Sequence, residues 1–255
     1  MARRKLIAGN WKMNGLRADA QALVDTLVAR RAADRGFDAD LLICPPATLL
    51  DRIGQRLEGS PILMGAQDAH AEQSGAFTGD YSAAMAKDLG ASHVIVGHSE
   101  RRDLHGESNQ LVRAKAEAVL AAGLVAIICV GESDAERRAG RATEVVCDQL
   151  CGSLPEGASP DNLVIAYEPI WAVGSGRIPT GDEVVEIHSA LRNCLRDSLG
   201  SPAEGVRLLY GGSVKPSNAG DFLALPDVDG CLVGGASLKA DEFWAIALAS
   251  QKVPA

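Results

Sequence analysis

Glu168 closes a five-residue apolar run, Leu163 to Tyr167, and is followed at once by Pro169. A run of that length and composition predicts a buried strand, and proline, which has no N–H for a sheet ladder, ends it. The next residues, Ile170 to Val173, are apolar, Gly174-Ser175-Gly176 forms a bare tip, and Pro179 precedes a Thr180/Glu183 capping box. An apolar loop with a glycine tip and stiff ends is expected to close over Glu168 as a lid. It would exclude water and strengthen the carboxylate's hold on a proton, which suits a general base. The plainer reading makes Glu168 an ordinary strand-end charge and Trp171 a core aromatic.

Other reactive residue types stand at similar strand ends. Asn10 and Lys12 follow Lys5-Leu6-Ile7-Ala8. His98 follows His93 to Gly97 and opens a Ser99-Glu100 segment that reads as a helix start. Positive partial charge at a helix start disfavours imidazolium, so His98 is expected neutral, able to donate an N–H to a developing oxyanion. Gly211-Gly212-Ser213 and Gly234-Gly235 leave backbone N–H groups unobstructed, the makings of an anion cradle. Tight turns explain each glycine pair equally well. No GxxxxGK[ST] or GxGxxG pattern occurs.

Glu100 to Asp103 reads as a solvated ion-pair patch, with Glu100 and Ser99 as candidates to support the site. His188 shares an apolar helix stripe with Val184, Leu191 and Leu195 and reads as packing. Six cysteines are present without a CxxC pair, and Cys147 and Cys151, one helical turn apart, have no nearby Cys or His to complete a zinc set. All six are expected to be buried free thiols, with no metal bound.

The elements that must position these groups alternate. Strands are expected at Lys5–Ala8, Leu41–Cys44, Ile62–Gly65, His93–Gly97, Leu124–Val130, Leu163–Tyr167, Val206–Tyr210 and Cys231–Val233. Helices are expected at Leu16–Ala32, Thr48–Leu57, Ser82–Leu89, Asn109–Ala122, Asp134–Leu150, Asp182–Leu199, Ser217–Leu225 and Leu238–Ser250. Eight strand-then-helix units, with strands apolar on both faces, predict an α/β chain forming a single (β/α)8 barrel of parallel strands over residues 1–255. A doubly wound open sheet is the competing architecture. Barrels carry their chemistry at the C-terminal strand ends, where the residues above fall. The connection from Ala66 to Tyr81 is long for such a loop, and the apolar tip Gly75-Ala76-Phe77-Thr78-Gly79 is expected to dock on a second subunit.

The chain has 255 residues, 47% of them hydrophobic, and a formal net charge of -8. That balance argues against nucleic-acid binding and has the wrong sign for attracting an anion from afar, so an anionic ligand must be held by local groups. No apolar run has membrane-spanning length and no signal pattern is evident, so a cytoplasmic location is expected.

These motifs resemble the triosephosphate isomerase family along essentially the whole chain. The resemblance rests on Gly9-Asn10-Trp11-Lys12-Met13-Asn14, Gly75 to Gly79, Gly97 to Arg102, Ala166 to Ala172, Tyr210 to Val214 and Leu232 to Ser237, in that order. It implies a TIM barrel that interconverts dihydroxyacetone phosphate and glyceraldehyde 3-phosphate without metal or organic cofactor. It implies Glu168 as the base that moves a proton between C1 and C2 through a cis-enediol(ate), and His98 as the neutral electrophile. Lys12 would stabilise the intermediate, with Asn10 a supporting donor. Gly174, Ser213, Gly234 and Gly235 would grip the phosphate. Thr78 and Phe77 would reach the neighbouring subunit of a homodimer. The family's lid often ends in Lys-Thr-Ala where this chain has Arg177-Ile178-Pro179, so altered lid kinetics are expected with unaltered chemistry. An isomerase of a four-carbon ketose phosphate would use the same residues. A Schiff-base aldolase would need a desolvated lysine inside the barrel, and a non-catalytic barrel would have little use for the three titratable site residues.

Overall fold

The computed structural model describes residues 3–172 and 176–252. Eight parallel strands close into a barrel in sequence order: β1 (Leu6–Asn10), β2 (Asp40–Cys44), β3 (Leu63–Ala66), β4 (His93–Val96), β5 (Val125–Val130), β6 (Leu163–Tyr167), β7 (Arg207–Tyr210) and β8 (Gly230–Val233). Closure is made by β1 against β8, with Ile7 opposite Cys231 and Gly9 opposite Val233. The open-sheet alternative is thereby excluded. The helices around the barrel are α1 (Arg17–Ala33), α2 (Leu50–Leu57), α3 (Ala83–Asp88), α4 (Ser99–Leu104), α5 (Asn109–Ala121), α6 (Asp134–Arg138), α7 (Ala142–Ser153), α8 (Gly181–Leu199), α9 (Ala219–Leu223) and α10 (Ala240–Ala249).

Successive strand side chains point to opposite faces, and this alternation sorts the core into two layers. Leu6, Ala8, Leu42, Cys44, Ile95, Ile127, Cys129, Val164, Ala166, Leu209 and Leu232 fill the barrel interior. Ile7, Ile43, Val94, Val96, Ile165 and Tyr167 face outward and pack with the helices. On β6 the inward residues are Val164 and Ala166, so the next inward position is Glu168. On β1 they are Leu6 and Ala8, and the next is Asn10. The parity of the strands thus aims both polar side chains into the barrel mouth.

Several local expectations need correction. The helix expected over Asp134–Leu150 is split into α6 and α7, because Gly140 between them has a φ of 71°, outside helical geometry. The helix expected at Ser217 shortens to α9, and the one expected from Thr48 begins as a 3-10 turn at Ala47–Leu49. The segment after His98 is a complete short helix, α4. The cysteines are not uniformly buried: Cys44, Cys129 and Cys231 are, but Cys147 and Cys194 are half-buried and Cys151 is exposed. The Ala66–Tyr81 connection is ordered by a bridge between His70 and Ser82, a His70 N–H donated to the Tyr81 carbonyl at 2.8 Å, and the His70 and Phe77 rings at 3.9 Å.

No helix among the described residues is long and apolar enough to cross a membrane. Among them, no group of three or more His, Cys, Asp or Glu is arranged to hold a metal ion.

Candidate active site

A cavity of about 690 Å3 opens at the C-terminal ends of the strands, lined by Asn10, Lys12, His98, Glu168, Ser213, Gly234 and Gly235 among others. Seven residues singled out in the sequence therefore meet in one place. Gly174 lies outside the described residues. Thr78 and Phe77 are exposed at the tip of the Ala66–Tyr81 connection, away from the cavity.

Glu168 leaves β6 with its N–H bonded to the Val130 carbonyl at 2.8 Å, which fixes its backbone to the neighbouring strand. Its carboxylate is buried. Oε1 lies 2.8 Å from His98 Nε2, and Oε2 accepts the Ser99 N–H at 3.0 Å. Burial pushes the carboxyl's pKa up, but His98, the Ser99 N–H and Lys12 together outweigh it, and the group lies below its ordinary value. The expectation that burial would raise its proton affinity is overturned: specific partners win over desolvation.

His98 caps α4, with Nδ1 accepting the Glu100 N–H at 3.2 Å. A nitrogen that accepts a backbone N–H carries no proton of its own, so the proton of the neutral ring sits on Nε2, directed at Glu168. Burial lowers the proton affinity of His98, while Glu168 raises it more, and the net direction is upward. That correction to the expected depression belongs to the contact with Glu168; it is lost when the carboxylate moves away.

Lys12 has a φ of 53°, a conformation that costs a non-glycine residue about 1–3 kcal/mol. Three hydrogen bonds hold the segment there. The Lys12 N–H donates to Asn10 Oδ1 at 3.0 Å, and Gln67 Nε2 donates to the Lys12 carbonyl at 2.9 Å and to the Cys44 carbonyl at 2.8 Å. The result turns the ammonium over the cavity, where it pairs with Glu100.

Glu100 contacts the cavity through its pair with Lys12, and Ser99 through the N–H it donates to Glu168. The rest of their cluster is not a solvated patch. Arg101 pairs with Glu107 at 2.6 Å and Asp68 at 2.9 Å. Arg102 donates to the Gly97 and Cys129 carbonyls at 2.8 and 3.2 Å and to Asn109 Oδ1 at 2.7 Å. Arginine's forked donors tie α4 to the strand ends, which anchors the backbone of His98 and Ser99.

The glycine pairs divide. A Cβ on Gly211 would stand 3.0 Å from Glu168 Cγ, and one on Gly212 would overlap the Tyr210 hydroxyl, so packing demands both. A Cβ on Gly235 would meet nothing within 4 Å, and one on Gly234 only Lys12 Cε at 3.8 Å. Neither has a positive φ. Their bareness leaves space in the cavity rather than relieving a clash.

Sequence reasoning missed Glu132, which is fully buried beyond the end of β5. Its Oε1 accepts from the Tyr167 hydroxyl at 3.0 Å and from Trp171 Nε1 at 2.8 Å, and pairs with Arg137 at 3.2 Å. Trp171 is therefore held by a carboxylate instead of resting as a plain core aromatic. The Arg177 guanidinium stacks over its ring at 4.7 Å and pairs with Asp134 at 2.5 Å. The signal was available: Glu132, like Glu168, is a carboxylate just past a strand's C-terminal end.

A family model described as Triosephosphate isomerase matches residues 5–250. Proteins named triosephosphate isomerase from Afipia carboxidovorans and Rhodopseudomonas palustris are each 57% identical to this chain, over 244 and 247 residues; each alignment covers 96% of this chain and 96% of the relative. The crystal structure of triosephosphate isomerase from Bartonella henselae superposes with a TM-score of 0.90 at 46% identity, covering 97% of this chain and 99% of that one.

Proposed function

The chain belongs to the triosephosphate isomerase family, whose members interconvert triose phosphates, and from that premise we propose how its own residues carry the reaction. Glu168 is the base. It removes a proton from C1 of dihydroxyacetone phosphate and returns one to C2 of the cis-enediol(ate), giving glyceraldehyde 3-phosphate; the reverse reaction uses the same steps. The observation that carries this reading is the Glu168–His98 contact inside the cavity, with Lys12 beside it.

A proton next to a carbonyl is hard to remove unless the oxygen's growing charge is met as it forms. The Nε2–H of His98 meets it and shuttles a proton between the two oxygens. The Lys12 ammonium offsets the remaining negative charge, and Asn10 adds a donor. To reach carbon, Glu168 gives up the Ser99 N–H and His98, and the Nε2–H is then free for the substrate oxygen. Ser213, Gly234 and Gly235, with Gly174 from the lid, hold the phosphate. Binding energy from that remote group positions the base and keeps water off the enediolate.

The active form is a homodimer. Met13 and Leu16 are 94% and 77% exposed beside Lys12, and Phe77 and Met85 are also uncovered, an apolar surface that a second copy would cover, with Thr78 at its rim. Sedimentation of the purified protein tests this; a monomer at micromolar concentration contradicts it. The enzyme works in the cytoplasm on soluble triose phosphates.

Turnover in deuterated water tests the proton-transfer reading. Deuterium from solvent is expected at C2 of the product, and its entry should be lost in Glu168→Gln. Deuterium-free product together with undiminished turnover in Glu168→Gln would instead mean an internal hydride shift and no role for Glu168 as base.

A further inference from the structure

Five ionisable side chains line the active cavity: Lys12, His98, Glu168, Lys215 and Glu242. Four are already matched. Lys12 pairs with Glu100, Glu168 with His98 at 2.8 Å, and Glu242 with Lys239 at 2.7 Å. Lys215 is exposed and has no ion pair or side-chain hydrogen bond among the described residues. It stands at the mouth, two residues after Ser213. Asn218 braces its turn from both sides: Asn218 Oδ1 accepts the Lys215 N–H at 2.7 Å, and Asn218 Nδ2 donates to the Ser213 carbonyl at 3.0 Å.

We infer that Lys215 is a further binding residue, an unmatched charge at the rim that draws the dianionic phosphate of the substrate toward the Ser213–Gly234–Gly235 side of the cavity. This rests on the phosphate site proposed above. The protein's net charge of -8 repels a dianion at long range. Lys12, shared with Glu100, contributes little field beyond its immediate contacts. A lone ammonium at the cavity mouth adds an attraction for the dianion that acts over about one Debye length, 10 Å at 0.1 M salt. Its brace keeps the backbone beneath it fixed, so the charge adds capture without loosening the cradle. Exposed and flexible, Lys215 acts on arrival of the phosphate and not on the enolisation step, where it has no partner to stabilise. It also selects by charge: a dianion gains about twice what a monoanion gains from the same field.

The test compares wild type, Lys215→Gln and Lys215→Arg in steady state, at about 20 mM and 500 mM salt, with inorganic phosphate as competitive inhibitor. At low salt Lys215→Gln is expected to lower kcat/KM for glyceraldehyde 3-phosphate by about 3- to 10-fold through KM. The same variant weakens phosphate inhibition by a similar factor. At high salt the difference should shrink below about 2-fold, and Lys215→Arg should restore wild-type behaviour. An unchanged salt slope and inhibition constant in Lys215→Gln would overturn the inference, as would a fall in kcat alone, which marks a structural role. Phosphate that fails to compete in the wild type would overturn the phosphate site itself, a separate outcome.

Discussion

Glu168 Oε1 stands 2.8 Å from His98 Nε2 while its Oε2 accepts the Ser99 N–H at 3.0 Å. Glu168, the proposed base, is therefore held ionised by His98 and the Ser99 N–H. In the proposed mechanism the carboxylate leaves these partners to reach carbon, and side-chain length decides whether it can. Glu168→Asp withdraws the carboxylate by about 1 Å and should lower kcat on the order of 10²-fold. Steady-state kinetics on the purified variant checks this, and a near-normal kcat removes Glu168 as the base.

Two glycines at the cavity should respond to alanine in opposite ways. Gly211→Ala puts a methyl 3.0 Å from both Glu168 Cγ and the Tyr167 carbonyl. It should displace the carboxylate and lower kcat by about 10-fold or more. Gly235→Ala meets no protein atom within 4 Å, so its melting temperature should match the wild type while KM for the phosphorylated substrate rises. Equal KM values for wild type and Gly235→Ala would take Gly235 out of the phosphate site.

Glu132 joins three donors from three elements. Glu132→Ala leaves the Tyr167 hydroxyl, Trp171 Nε1 and Arg137 without their shared acceptor, and a broken buried charge pair of this kind costs about 3–5 kcal/mol. Glu132→Gln keeps one acceptor oxygen and should cost less. Denaturant unfolding of the two variants gives the order directly; equal stabilities would mean that the shared oxygen is not what holds Trp171.

Acid should unfold the protein partly through its buried histidines. Burial drives His93 and His188 down from the ordinary 6.5 to about 4. Both values are depressed in the fold, so between pH 6.5 and about 4 the unfolded chain binds more protons. Stability is therefore full above pH 6.5 and is lost as pH falls toward 4, by on the order of 3 kcal/mol for each group. In His188→Gln the slope of unfolding free energy against pH should flatten in that window. A slope identical to wild type would show that His188 is not protonated on unfolding.

Much of this was legible in the chain. Apolar runs stopped by proline or glycine marked all eight strands, and the stop after Tyr167 put Glu168 at a barrel mouth. Alternation along β6 even fixes its direction, since Val164 and Ala166 face inward. The energetic balance was not legible. Burial of Glu168 pointed to a raised pKa, but the Ser99 N–H and His98 come from α4 and its cap, which only the closed barrel brings against the end of β6. Arg101 and Arg102 look like surface charges in sequence because their acceptors, Asp68 and the Cys129 carbonyl, lie on other strands' ends. Gly211 and Gly235 sit in similar motifs, yet only the three-dimensional neighbourhood separates a packing glycine from one that leaves room for a ligand. Gly140 could have warned of the break between α6 and α7, but an isolated glycine in a helical pattern is often tolerated.

The most direct test is a coupled assay of glyceraldehyde 3-phosphate conversion to dihydroxyacetone phosphate, in EDTA, on wild type and Glu168→Gln. Wild-type turnover should be rapid and collapse by several orders of magnitude in the variant, while inorganic phosphate still binds both. Comparable turnover in the two proteins would contradict it, because the neutral amide can neither remove nor return the proton.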